Sequence, residues 1–263
     1  MSSENFSLYE EKVTKLFFDR VNRGEKISDP RKLPSVCRKL LEKTILMNFF
    51  AEWWGGVNYF RCLDIVPNSA EQQYMEVIAR EEMGHAHILE KGSLAILELD
   101  PYATLAKNVK EQKGLLQVFK YPEILSRSWG DVVIFNRLQD ASADMQLDEF
   151  ADGFFKPYCN DIDLIEAEEV GHVEHANRSI REYIKMEKTR GSKCPSMYYL
   201  QRALDFWLPL VLDVFGKPNG KNENLYLKYK LKHRTNEESR KLFISRIAPF
   251  FQEIGLSHPL LIV

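Results

Sequence analysis

Cysteine is scarce in this chain. There are four in 263 residues, and none belongs to a C-x-x-C pair. Cys37, Cys62, Cys159 and Cys194 are too scattered for a structural zinc site or a disulfide framework, and they read as reduced thiols of a cytoplasmic protein. A charge excess is missing too. Lys and Arg number 36 and Asp and Glu 38, for a formal net charge of −2, which argues against a general nucleic-acid binder. No apolar run is long enough to span a bilayer; the nearest, FWLPLVLDVF, is short and interrupted. The opening MSSENFSLYEEK has neither the basic nor the apolar region of a secretory leader. Low-complexity tracts and clear interdomain linkers are also missing. With 44% hydrophobic residues there is enough apolar material for a sizeable core, and residues 1–263 read as one domain.

What is present is helical period. Between punctuating prolines, apolar residues recur at spacings of three and four. This predicts principal helices over 36–65, 70–97, 131–152 and 157–188, with a shorter helical connection over 103–127. Residues 1–35 form an N-terminal extension. The best loop is TRGSKCPSM at 189–197, and residues 196–263 are expected to pack back on the bundle as further helices. In LYLKYKLKHR, Leu227, Tyr229 and Leu231 alternate with Lys228, Lys230 and Lys232, which predicts a short extended segment with one basic face. Thr235 and Glu238 in TNEE make a capping-box signature for a helix over 236–251.

Two stretches carry the chemistry. EEMGH (81–85) and EEVGH (168–172) share four of five residues and hold Glu82-x-x-His85 and Glu169-x-x-His172. Residues three apart share a helix face, so each pair can offer a carboxylate oxygen and an imidazole nitrogen to one point. A dinuclear bundle site also needs one carboxylate from each of two further helices. Glu52 lies 30 residues before Glu82, and Asp140 lies 29 before Glu169. A turn at Pro67 would bring Glu52 and Glu82 to one level, roughly 22 Å from the turn at the helical rise. A second turn near Phe154 would do the same for Asp140 and Glu169. Four carboxylates and two histidines without thiolates suit iron or manganese, and a reduced pair of such metals can activate dioxygen.

Other residues have milder readings. Glu81 and Glu168 sit roughly 100° around the helix from the ligands and read as polar partners. His87 points away from His85. His175, one turn after His172, is either a packed residue or a hydrogen-bonding neighbour of the ligands. Asp144, one turn after Asp140, is either a support for a ligand histidine or the ligand in place of Asp140. Gly55 and Gly56, costly inside a helix, either admit a substrate, permit a kink, or allow close helix packing.

Several of these motifs, taken together, resemble the catalytic A subunits of ring-1,2-phenylacetyl-CoA epoxidases, ferritin-like di-iron multicomponent oxygenases. The resemblance rests on Glu52, EEMGH, DVVIFNRLQDASADM, PYCNDIDLIEAEEVGH, FWLPLVLDVFG and LKYKLKHRTNEESRKLF, and runs from about residue 36 to about 260. It is poor before about residue 35, and family members run on past the C-terminal end of this chain. It implies an all-α fold: a ferritin-like four-helix bundle with a crossover connection and additional C-terminal helices. It implies a monooxygenase that uses dioxygen and reductase-supplied electrons to oxygenate an aromatic or related CoA thioester. Glu52, Glu82, His85, Asp140, Glu169 and His172 would hold two iron ions, with manganese as the alternative. A reductase and a metal-free ferritin-like subunit would be partners in an oligomer, with no nucleic acid or membrane involved. Lys228, Lys230, Lys232 and Arg234 would face CoA phosphates or acidic partner groups, or simply form a solvated basic strand. Two further functions stay open: a ferritin-like di-metal oxidase or ferroxidase, and a paralogue oxygenating a small molecule without CoA.

Overall fold

Spacings of three and four resolve into helices along most of the chain. The computed structural model describes residues 3–111, 116–169, 171–189 and 195–262. An N-terminal helix, α1 (Ser3–Asn22), precedes a hairpin of α2 (Ser35–Arg61) and α3 (Ser69–Leu89). The turn falls at Pro67, as expected, and Asn68 caps α3 by accepting the Glu71 N–H at 3.0 Å. A crossover follows. It begins with a π-helical turn (Glu90–Leu94) and continues through α4 (Pro101–Glu111) and the short α5 (Pro122–Leu125). The single connection predicted over 103–127 is therefore broken, and its residues 112–115 lie outside the described residues.

The second hairpin pairs α6 (Trp129–Ala151) with α7 (Lys156–Glu169) and α8 (His172–Thr189). The helix expected over 157–188 is thus interrupted between Glu169 and His172; Gly171 is in a turn there, and Val170 lies outside the described residues. α6 is buried almost all round because α7, α8, α9 and α11 pack against it. Beyond the bundle come α9 (Pro195–Leu212), α10 (Glu223–Lys228) and α11 (Asn236–Glu253). The capping box of Thr235 and Glu238 opens α11 with both reciprocal bonds made. Of the expected loop at 189–197, residues 190–194 lie outside the described residues and 195–197 already belong to α9.

The extended basic strand is a misreading. Residues 223–228 are helical, Lys230 adopts a left-handed φ of +55°, and Tyr229 and Leu231 are buried. Alternation over so few residues is equally the signature of a helix end folded into a turn that buries its apolar members. Among the described residues there is no strand, only an isolated bridge between Ile27 and Phe155.

Two apolar cores fill the molecule. One gathers Trp54, Met75, Ala79, Phe135, Ile180 and Trp207. The other gathers Ile45, Phe49, Ala86, Leu89, Phe155 and Ile165. Along α2, α3 and the α7–α8 pair, the stretches holding Glu52, Glu82–His85 and Glu169–His172 fall between residues of the first core and residues of the second. The polar cluster marks their boundary. Cys37, Cys62 and Cys159 are buried free thiols, while Cys194 lies outside the described residues. No described helix is long and apolar enough to cross a membrane.

Candidate metal centre

The buried face of α3 explains why its acidic pair is inside. Met75, Ile78, Ala79, Glu82, His85, Ala86 and Leu89 are all buried at helical spacing. Glu82 and His85 occupy core positions of that stripe, so the packing of α3 carries them into the interior. Gly55 and Gly56 on α2 make the room. A Cβ at Gly55 would collide with the Glu82 carboxylate, and one at Gly56 would lie 2.6 Å from Met83 Cγ and 2.9 Å from the Ala79 carbonyl oxygen. Close packing, one of the three readings of these glycines, holds at both positions.

Two trios of potential ligand atoms result: Glu52, His85 and Glu169, and Glu82, Glu169 and His172, each with all atoms within 4.8 Å of one another. Glu169 belongs to both. Its Oε1 lies 3.3 Å from His85 Nδ1 and its Oε2 2.8 Å from His172 Nδ1. Glu52 Oε2 is also 3.3 Å from His85 Nδ1. Asp140 stands outside both trios but lines the same small cavity as Glu52, Glu82 and Glu169.

The outer ring nitrogens are held by Glu81 and Glu168, the sequence neighbours of Glu82 and Glu169. Glu168 Oε2 is 3.2 Å from His85 Nε2, and Glu81 Oε2 is 3.0 Å from His172 Nε2. Each carboxylate crosses to the histidine of the other repeat. In a neutral ring these contacts favour the proton on Nε2 and turn the Nδ1 lone pair toward the cluster. His172 Nδ1 is buried without a hydrogen bond, since the approach of Glu169 lacks hydrogen-bond geometry despite its short distance. A buried, unbonded ring nitrogen amid oxygen donors is the arrangement a hard or borderline metal ion fits.

The electrostatics fit as well. Burial raises the pKa values of Glu52 and Glu82, and that of Glu82 is driven further up by the surrounding carboxylates. Burial lifts Asp140 to about 8 against the pull of His172. Burial alone would lower the two histidines, but their carboxylate contacts dominate and raise both to about 10. Glu169 is the exception: burial raises it, yet the close approach of the His172 and His85 imidazoles holds it at about 2. Negative charge is thus concentrated at the carboxylate shared by both trios.

The remaining candidates lie elsewhere. Asp144 is mostly exposed and ion-paired with Arg246 on α11, so it is neither in the cluster nor behind a ligand histidine. His175 faces Glu71 at 3.1 Å and Ser179 at 3.0 Å, stacked on Tyr74, in a separate polar knot between α3 and α8. His87 is exposed near Glu90. The basic residues of the tail do not share a face. Lys228 lies over the Tyr229 ring, Lys230 donates to Asn22, and Lys232 is turned inward to the Phe215 carbonyl and Asn236. Arg234 donates its backbone N–H to the buried Glu149.

Two cavities reach the cluster. The smaller, about 20 Å³, is walled by Trp54, Tyr59 and Phe135 and touches Glu82, Asp140 and Glu169. The larger, about 340 Å³, runs from Glu52 past Met47, Phe119 and Leu147 to the exposed Lys43, Lys217 and Lys221. These three lysines were missed in the sequence because they come from α2 and from the turn between α9 and α10, with no common spacing.

Comparison with known proteins agrees with this architecture. The A subunit of 1,2-phenylacetyl-CoA epoxidase from Escherichia coli (strain K12) is 23% identical over 248 residues, covering 92% of this chain and 76% of that relative. The family model described as phenylacetic acid catabolic protein matches residues 31–261, which hold both hairpins, both trios and the C-terminal helices. The chain therefore belongs to the phenylacetic acid catabolic protein family.

Proposed function

We propose that this chain is the catalytic subunit of an oxygen-dependent di-iron monooxygenase acting on an aromatic or related CoA thioester. The observation that carries the reading is the pair of buried Glu–His trios, joined through Glu169, at the inner end of a cavity with a cationic rim. Glu52, Glu82, His85, Asp140, Glu169 and His172 are the proposed holders of two irons, with manganese as the alternative metal. Iron held there would supply the dioxygen chemistry that no side chain provides.

The residues of the chain have separate tasks. Glu81 and Glu168 orient the two imidazoles from behind. Trp54, Tyr59 and Phe135 limit water at the small cavity, which has room for about one water molecule. Met47, Phe119 and Leu147 offer apolar contact to an acyl group. Lys43, Lys217 and Lys221 are not ion-paired with any described residue, and they suit the phosphates of a CoA carrier. Lys228, Lys230 and Arg234 lack that cavity setting, so the phosphate role is reassigned to the rim; Lys232 lines the cavity through an amine already bonded to protein. The name of the relative supports both the CoA thioester and a multi-subunit assembly, since it is one subunit of an epoxidase. The proposed partners are a reductase and a metal-free companion subunit.

The test combines metal and product. Anaerobic loading with Fe(II) is expected to give about two irons per wild-type chain and clearly less in Glu82→Ala and His172→Ala. With a reductase, oxygen uptake should depend on phenylacetyl-CoA or a related thioester and yield a product heavier by one oxygen. Iron-loaded protein that consumes oxygen without oxygenating any CoA thioester would sink the reading.

A further inference from the structure

Two helices line the larger cavity with one stripe each. On α2 the stripe runs Lys43, Met47, Ala51, one turn apart, and ends beside Glu52. On α6 it runs Phe150, Leu147, Ala143 and ends beside Asp140. Both stripes go from long or bulky side chains to alanine as they approach the cluster. Ala51 and Ala143 are the two alanines of this cavity, and both also line the small cavity at Glu82, Asp140 and Glu169. They therefore mark the end nearest the metal-binding residues. Each is half-buried, unlike the sealed core alanines Ala79 and Ala86. The solvent face of α6 is that of Asp144 and Asp148, roughly 100° or more around the helix from Ala143, so the accessible surface of Ala143 opens to the cavity. Phe119 lines both cavities too and brings an aromatic face to the two methyl groups. In a close-packed interior, room at this depth exists because neither helix places a larger side chain there.

We propose that Ala51 and Ala143 are specificity-determining residues: their small side chains leave a seat for one aromatic ring at the cluster end of the larger cavity, against Phe119, so that the chain selects aryl-acyl thioesters over short-chain acyl ones. The inference rests on the CoA-thioester reading above and narrows its substrate class. The rim lysines hold what all such thioesters share, and the two alanines act on the acyl group, where they differ.

The test is calorimetric binding to the iron-loaded protein, anaerobic and without reductase. The probes are phenylacetyl-CoA and acetyl-CoA, which differ by the phenyl ring alone. Wild type is expected to prefer phenylacetyl-CoA by roughly 10- to 100-fold, the effect of burying one phenyl ring. Ala51→Leu and Ala143→Leu each add an isopropyl group to the seat. Both should bind acetyl-CoA as wild type does, which also shows that they are folded, and should lose most of the preference for the ring. Ala143→Ser, which adds a single small atom, should keep most of it. A merely structural role would weaken both probes together and leave their ratio intact. A wild-type ratio in both Leu variants, or a wild type that binds the two probes alike, would overturn the assignment while the CoA reading stood. Failure of wild type to bind either probe would overturn the CoA reading and this assignment with it.

Discussion

Behind each histidine of the cluster stands a glutamate from the opposite repeat, Glu168 for His85 and Glu81 for His172. Replacing either by Leu leaves a buried Nε2–H without its acceptor and frees the ring to turn. Metal affinity is expected to fall roughly 10- to 100-fold, with Gln variants retaining more, as read by chelator competition. Proton competition gives a second expectation. His85 and His172, held near 10, and Asp140, near 8, carry protons at neutral pH that a metal must displace. Apparent affinity should therefore rise as pH increases through 8 and fall in acid; a flat profile from pH 6 to 9 would contradict the protonated cluster. At this scale much was legible. The doubled EExGH motif and the nearly equal upstream intervals named six residues; the fold gathers five of them, Glu52, Glu82, His85, Glu169 and His172, into the two trios and sets Asp140 on the same small cavity. The crossed pairing was not legible, because Glu81 and His85 are four apart on one helix and nothing in a linear pattern says that each bonds across the bundle instead. Asp144 and His175 had the right spacing, but the faces they occupy are set by α11 and by Glu71.

At the level of helices, the tight fit of α2 on α3 rests on Gly55 and Gly56. Gly56→Ala places a methyl against the Ala79 backbone carbonyl, which cannot swing aside, so the hairpin must part. A loss of about 1–3 kcal/mol is expected in chemical denaturation. Gly55→Ala meets only the Glu82 carboxylate, a movable group. It should cost less stability but displace Glu82 and lower metal occupancy, so the two glycines should separate in paired measurements of stability and iron content. Equal losses of both properties in both variants would refute this division. Element boundaries were legible where a residue marks them, as Pro67 and Thr235 do. They were illegible where tertiary contact decides. The π-helical turn at Glu90–Leu94 is clamped by Asp161 of α7, which accepts the Ser93 N–H at 2.7 Å. The break between Glu169 and His172 lies inside an unbroken helical pattern.

Across the whole molecule, the cavity joins parts far apart in the chain: α2, α6, and the segment between α9 and α11. The principal helices were visible from period and proline, the two hairpins from Pro67 and the carboxylate intervals, and the ferritin-like bundle from the family resemblance. The cavity was not, because its rim forms only when residues 213–236 fold back over the bundle. Lys43→Glu and Lys217→Glu should weaken CoA binding and flatten its dependence on salt, since exposed cations acting on phosphates are screened by ions. Metal content should stay as in wild type, as neither residue belongs to the trios. Salt-insensitive binding in the wild type would count against the rim.

The carboxylate of Glu169 gives one oxygen toward each trio. On the proposed two-metal reading, loading of the two positions is therefore a coupled equilibrium, not two separate ones. A cation at either position relieves the mutual repulsion of the remaining carboxylates and also draws on the shared anion, so each occupancy changes the affinity of the other by the same factor. Loss of His85 or His172 removes a donor from one position; loss of Glu169 removes the linkage itself.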